Sequence, residues 1–201
     1  MDVRVTILVL FLVSLSLARE CKIYVRKVTE AEAEIIVDKH NELRMQIANG
    51  EIEGQPRGVN LKRLKYDEDL AAEAQEIANS CIFAHQQVTD DRWYAVGQNL
   101  YIKKSTAPSN ESDWDTAIQS WFDEHEDYTF GKCCRKGPRM TGHYTQLVWA
   151  NTEYVGCGYT YFATDDFFKY RKLYVCNYGP AGNFKRQFPY KVGKSGCEDL
   201  C

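Results

Sequence analysis

The chain has 201 residues, with 25 Lys and Arg against 28 Asp and Glu, a formal net charge of −3 and eight cysteines. Opposite charges are interspersed along it, without the basic face that a phosphate backbone requires, so an electrostatic nucleic-acid binder is excluded. The length suits one domain with a real core, so any cross-links supplement packing rather than replace it.

In chain order, Arg4 precedes an apolar run over residues 5–17 that closes on Ser16-Leu17-Ala18, a small-x-small pattern. This predicts a signal peptide over 1–18 and a secreted single domain with a short Cys-containing tail over 19–201. The run falls short of the ~20 residues that cross a bilayer, so no membrane span is expected. Eight cysteines remain, Cys21, Cys81, Cys133, Cys134, Cys157, Cys176, Cys197 and Cys201. An even number in an exported chain implies disulfides, and no C-x-x-C pair suggests a metal cluster. Eight cysteines allow about 105 pairings.

Thr29 and Glu32 form a capping-box signature, followed by Ile36, His40, Leu43 and Ile47 at helical spacing and by Gly50. This predicts an amphipathic helix that ends at the glycine. A loop over 51–65 follows, and Asp67 then caps a second helix through Leu70, Ala74, Ile77, Ala78 and Cys81, whose small residues suit close packing. Residues 96–101 read as a strand. Residues 103–113 read as a polar loop containing the sequon Asn110-Glu111-Ser112, a glycosylation candidate at Asn110. A third helix is expected from Ser112 or Asp113 through Ile118, Trp121, Phe122 and His125, and two strands near 154–162 and 172–178. Helices first and strands mostly later predict an α+β fold, with helices on a mostly antiparallel sheet.

Two segments mix polar and apolar residues: Gly142-His143-Tyr144-Thr145-Gln146-Leu147-Val148-Trp149, and Leu173-Tyr174-Val175-Cys176-Asn177-Tyr178-Gly179-Pro180-Ala181-Gly182-Asn183-Phe184. A polar group in an apolar run must find a partner or line a cavity, because leaving it unpaired costs a few kcal/mol. His40 on its apolar stripe reads as a hydrogen-bonded core residue, with Asn41 and Arg44 tying the helix to neighbouring backbone. His125, within Asp123-Glu124-His125-Glu126-Asp127, reads as part of a solvated acidic face.

These two segments resemble the signature blocks of the CAP superfamily of cysteine-rich secretory, antigen 5 and pathogenesis-related-1 proteins. His40-Asn41-x-Leu43-Arg44, Cys81-x-Phe83-Ala84-His85 and Gly97-Gln98-Asn99-Leu100 resemble three further family motifs. The Gly-Gln-Asn form is similar to the arthropod antigen 5 and venom-allergen-like branch. The resemblance implies a three-layer α-β-α sandwich with a mostly antiparallel central sheet, stabilised by disulfides. It also implies a Cys157–Cys176 bridge. Cys81, ending the second helix, is then expected to meet Cys133 or Cys134, and Cys21 the remaining one or the tail. Only Cys197 and Cys201 follow Phe184, so the family's Cys-rich ion-channel module is not expected.

By the same resemblance, His85, Gln98, Glu124 and His143 form a cleft tetrad, and His85, His143 and Glu124 are metal-ligand candidates for a divalent cation such as zinc. Gln98 stands where many relatives carry a carboxylate, and an amide cannot serve as a general base. The bland alternative is that these residues only close the gap between helices and sheet. No G-x-S-x-G or H-E-x-x-H motif occurs, and no catalytic residue is assigned. The expectation is a secreted monomer, a venom or salivary component that binds a lipid, a sterol, a small hydrophobic effector or a host receptor or channel. The alternatives are an extracellular protease, metal-assisted or serine-type, and an ion-channel-modulating toxin. The polar stretch over 101–114, flanked by Tyr101 and Trp114, is the candidate mobile ligand loop.

Overall fold

A computed structural model describes residues 21–131, 140–194 and 200. The expected signal peptide over 1–18 and Cys133, Cys134, Cys197 and Cys201 lie outside the described residues. Strand β1 (Lys22–Arg26) precedes helix α1 (Glu30–Asn49). The cap of α1 forms as the sequence predicts: Glu32 N–H donates to Thr29 Oγ1 at 3.3 Å and Thr29 N–H to Glu32 Oε2 at 2.8 Å. Gly50 ends the helix at φ +72°, a left-handed geometry that glycine adopts without steric cost.

Strand β2 (Lys65–Tyr66) leads into helix α2 (Glu68–Asn79), capped by Asp67, whose side chain accepts from Leu70 N–H at 2.9 Å. Then come β3 (Gly97–Ser105), α3 (Trp114–Phe122), a 3-10 turn (Asp123–Asp127), α4 (Gly142–Leu147), β4 (Tyr154–Ala163) and β5 (Tyr170–Gly179). The strand order is β1-β4-β5-β3, all antiparallel, with the two-residue β2 parallel to the start of β4.

Period-2 alternation divides the sheet between two cores. Val155, Tyr159, Tyr161, Tyr174 and Tyr178 join Ile36, Leu43, Ile47, Ile118, Trp121 and Leu147 under α1, α3 and α4. Phe162, Leu173, Val175 and Leu100 join Ala74, Ile77 and Ala78 under α2. The expected three-layer α-β-α sandwich is therefore present. On the α2 side the helix touches the sheet backbone: a Cβ on Gly156 would lie 2.2 Å from Ala71 N, and one on Gly158 2.4 Å from Ala74 C. Glycines on β4 and alanines on α2 are thus two halves of one close contact.

Cys157 and Cys176 face each other in register and are bridged, as the resemblance implied. Cys81 corrects the other expectation: it is bonded to Cys21, not to Cys133 or Cys134. The reason is β1, which sequence patterning missed. It pairs along β4 and brings Cys21 beside the end of α2. A five-residue edge strand with only part of each side chain covered carries too weak an alternation to be seen alone.

Candidate functional site

The site is assembled around Gly97-Gln98-Asn99 at the start of β3. Gly97 is required sterically, because a Cβ there would sit 2.1 Å from Gln146 Oε1. Gln98 and Asn99 leave opposite faces of the strand. The Gln98 amide donates to Asn177 Oδ1 at 3.0 Å and to Gln86 O at 3.3 Å. These contacts aim its carbonyl oxygen at His85, whose Nδ1 lies 2.9 Å away. Asn99 is buried and donates to His143 O at 3.1 Å and to Tyr178 Oη at 3.3 Å.

Glu124 lies just beyond α3 and does the work of a missing cap. Thr141, at the N-terminus of α4, makes no side-chain capping bond. Instead Glu124 Oε2 accepts the N–H groups of His143 at 2.9 Å and Tyr144 at 3.1 Å, while Oε1 faces His143 Nδ1 at 2.6 Å. One carboxylate thus ends a helix and orients an imidazole. The tetrad arrives as two hydrogen-bonded pairs, His85 with Gln98 and His143 with Glu124. His85 is exposed, whereas the His143 side chain is 17% exposed.

A carbonyl or carboxylate oxygen can only accept, so both Nδ1 atoms carry hydrogen, and in the neutral form of each ring Nε2 is the atom with a free lone pair. Two imidazoles suit a zinc-type cation. Glu124 is not placed to complete the set: among the described residues no group of three or more His, Cys, Asp or Glu could hold a metal. The three-residue ligand set therefore does not form.

The polar residues of the two mixed segments bind each other. Gln146 Oε1 accepts Gly182 N–H at 2.7 Å, and Gln146 Nε2 donates to Thr152 Oγ1 at 3.2 Å. Thr145 Oγ1 lies 2.6 Å from Asn183 Oδ1, and Asn183 Nδ2 donates to Gly142 O at 2.8 Å. They tie a core, whereas the His143 side chain is partly exposed.

Behind this lies a fully buried node. His40 Nδ1 faces Ile36 O at 2.7 Å, and its Nε2 accepts from Tyr178 Oη at 2.9 Å, so both ring nitrogens are used. Burial, reinforced by the Arg44 charge, depresses its pKa to about 4. Asn41 exchanges two bonds with the backbone of Leu64, and Arg44 donates to the carbonyls of Lys62, Leu147, Trp149 and Thr152. Burial lowers the Arg44 pKa to about 9, still above neutrality. The structural reading of this triplet holds.

Two local expectations change. His125 is only partly solvated: α3 ends at Phe122, and the 3-10 turn lays its ring against Phe122 and Tyr144, with centroids 5.1 and 6.1 Å away. The stretch over 101–114 is fastened rather than loose. Its first five residues extend β3, Trp114 is buried, and Ser109 and Asp113 N–H groups donate to Tyr161 and Tyr174 hydroxyls at 3.2 and 2.9 Å. Asn110 itself is exposed. Sequence reasoning placed Asn99 and Asn177 in motifs but gave neither a partner; the structure sets them against His143 O and Tyr178 Oη, and against the Gln98 amide and Leu70 O.

Two adjoining grooves, about 540 and 590 Å³, run between the N-terminal half of α1 and the β2–α2 junction. Val28, Ala33, Val37 and Tyr66 give them apolar surface, and Glu30, Glu34, Asp38 and Glu68 a carboxylate rim.

Comparison with known proteins gives consistent matches. The model of the cysteine-rich secretory protein family, CAP, matches residues 37–178. A protein named CRISP/Allergen/PR-1 from Trittame loki is 39% identical over 88% of this chain, and the chain spans 46% of that relative's length. Salivary antigen-5 of Dipetalogaster maximus is 41% identical over 86% of this chain and 70% of its own. The crystal structure of NaASP2 with Zn2+ superposes with a TM-score of 0.68 at 27% identity, covering 83% of this chain and 88% of that one.

Proposed function

Because the chain belongs to the cysteine-rich secretory protein (CAP) family, we propose that it is a secreted protein of the venom and saliva type that binds its target rather than transforming it. The target class is a lipid, a sterol, another small hydrophobic effector or a host protein. One observation carries the non-catalytic part. Among the described residues, neither His85 nor His143 hydrogen-bonds a hydroxyl or thiol that it could activate, and each ring is paired only with Gln98 or Glu124. A nucleophile needs such a base within reach. Turnover of a peptide library by the purified protein, abolished by His143→Ala, would overturn this reading.

The grooves beside α1 support small-molecule capture, since their volumes fall within the range of ligand sites, roughly 300–1,000 Å³. Lys27 also lines the smaller groove, whereas the charged groups of the larger are all carboxylates, Glu30, Glu34, Asp38 and Glu68, which disfavour a fatty-acid headgroup and suit an uncharged sterol or a cationic amphiphile. Mass spectrometry of the natively purified protein tests this: a copurified neutral or cationic hydrophobe, lost in Ala33→Trp, is the expected result.

The residues that would hold a divalent cation are His85 and His143, through their Nε2 atoms. Such a cation would supply positive charge and open positions for water or a ligand oxygen. The relative crystallised with Zn2+ supports testing this pair.

A further inference from the structure

β3 runs from Gln98 at the site to Ser105, and at its far end stands the β4–β5 hairpin. The tip of that hairpin carries Phe167 and Phe168, 80% and 49% exposed, their rings packed edge to face with centroids 5.1 Å apart. Two consecutive phenylalanines displayed to water form a contiguous apolar tip that folding does not require, and its surroundings decide what it can meet.

The surroundings say what kind. Register places Lys22, Ala163, Tyr170 and Ser105 in one row across the sheet, and Arg171 beside Lys104 in the next. Lys22 Nζ sits 5.4 Å from the centre of the Tyr24 ring and Lys169 Nζ 6.0 Å from that of Tyr170. Tyr24 and Tyr161 pack together with centroids 5.2 Å apart. Moving back from the tip, the order is apolar rings, then tyrosines interleaved with lysines. A protein at a lipid–water boundary shows the same grading, with phenylalanine deepest and tyrosine and lysine at headgroup level.

Charges of the opposite sign are mostly accounted for. Asp166 is paired with Arg171 and accepts from Thr164 Oγ1 at 3.0 Å, and Asp113 is paired with Lys103 at 3.1 Å. Lys172 donates to Ser109 Oγ at 3.1 Å and to the Glu111 carbonyl. Asp165 and the Glu111 carboxylate remain against Lys22, Lys104 and Lys169, which make no ion pair among the described residues. A protein partner fits this tip less well. Two Phe side chains supply about 150–250 Å² each, whereas a stable interface needs about 800 Å² from each side.

We propose that this end of the sheet is a peripheral membrane-docking surface. Phe167 and Phe168 enter the headgroup–acyl boundary, and Lys22, Lys104 and Lys169 engage anionic headgroups. The surface is separate from the tetrad and from the α1 grooves, and it stands whether or not either captures a ligand.

Flotation of the full mature protein tests it, using vesicles of phosphatidylcholine alone and of phosphatidylcholine with one-third phosphatidylserine. The parent is expected to float with the anionic vesicles. The double variant F167S/F168S is expected to partition about tenfold or more weakly, since burying one Phe is worth about that factor. K104E/K169E is expected to lose the preference for anionic vesicles. Unchanged melting temperatures show that both variants fold. Failure of the parent to float, or equal flotation of F167S/F168S, would overturn the proposal. Capture of soluble polyglutamate by the parent without flotation would overturn it in favour of an acidic protein partner.

Discussion

His40 and His143 make an instructive pair. Each imidazole has its Nδ1–H fixed by an oxygen, Ile36 O in one case and a Glu124 oxygen in the other. They differ at Nε2. That of His40 is consumed by the Tyr178 hydroxyl inside a closed network, so the residue can only hold the fold together. That of His143 meets no hydrogen-bond partner among the described residues, on a ring braced from behind by Glu124. What separates a structural histidine from a site histidine here is the fate of one lone pair.

The largest expected effect breaks the closed side of that comparison. Arg44→Met leaves the Lys62, Leu147 and Thr152 carbonyls without the guanidinium donor and Trp149 O with only Thr152 N–H, so unfolding stability should fall by about 3 kcal/mol or more, read as a lower urea midpoint. His40 should reveal itself through pH. The unfolded ring protonates near 6.5 and the folded ring only near 4, so between these values the unfolded state holds more protons. Stability should therefore drop as pH falls from about 6.5 to about 4, by a total on the order of 3 kcal/mol. Denaturation curves at successive pH values check it, and His40→Gln should flatten that stretch of the profile.

Gly158→Ala tests the α2 side, where the new methyl meets helix backbone; a loss of roughly 1–3 kcal/mol is expected from thermal melts. The open side should respond less in stability and more in binding. Glu124→Gln should cost about 1 kcal/mol, through the weakened cap of α4. His143→Ala should abolish zinc uptake in calorimetry while leaving the melting temperature within a few degrees. If zinc binds equally well without His143, the distinction drawn from Nε2 fails.

Much of this was legible in the sequence, for identifiable reasons. The α1 boundaries follow from local chemistry, Thr29 and Glu32 at one end and Gly50 at the other, and needed no tertiary information. Ala74 and Ala78 announced close packing, although not that Gly158 on β4 would meet the helix backbone at Ala74, nor that Gly156 would meet it at Ala71. The tetrad became visible only through resemblance, because its members lie between 13 and 58 positions apart and converge through β3 and α4. The correct partner of Cys81 was hidden because it depends on β1, whose position is set by pairing with β4 rather than by its own pattern. The role of Glu124 was hidden as well: a helix cap supplied from another element leaves no trace in local spacing.

The Cys21–Cys81 bridge has a further consequence. It joins the strand before α1 to the residue just past α2, so the covalent graph of the protein no longer matches its linear order. A protease that cuts the exposed part of the 51–65 connection severs the main chain but releases nothing, because both pieces stay tethered through sulfur. On a non-reducing gel the nicked molecule would run as one band, and only a reductant would separate its two fragments. Damage in a digestive or inflammatory fluid would then be invisible by size until the cross-link itself is lost.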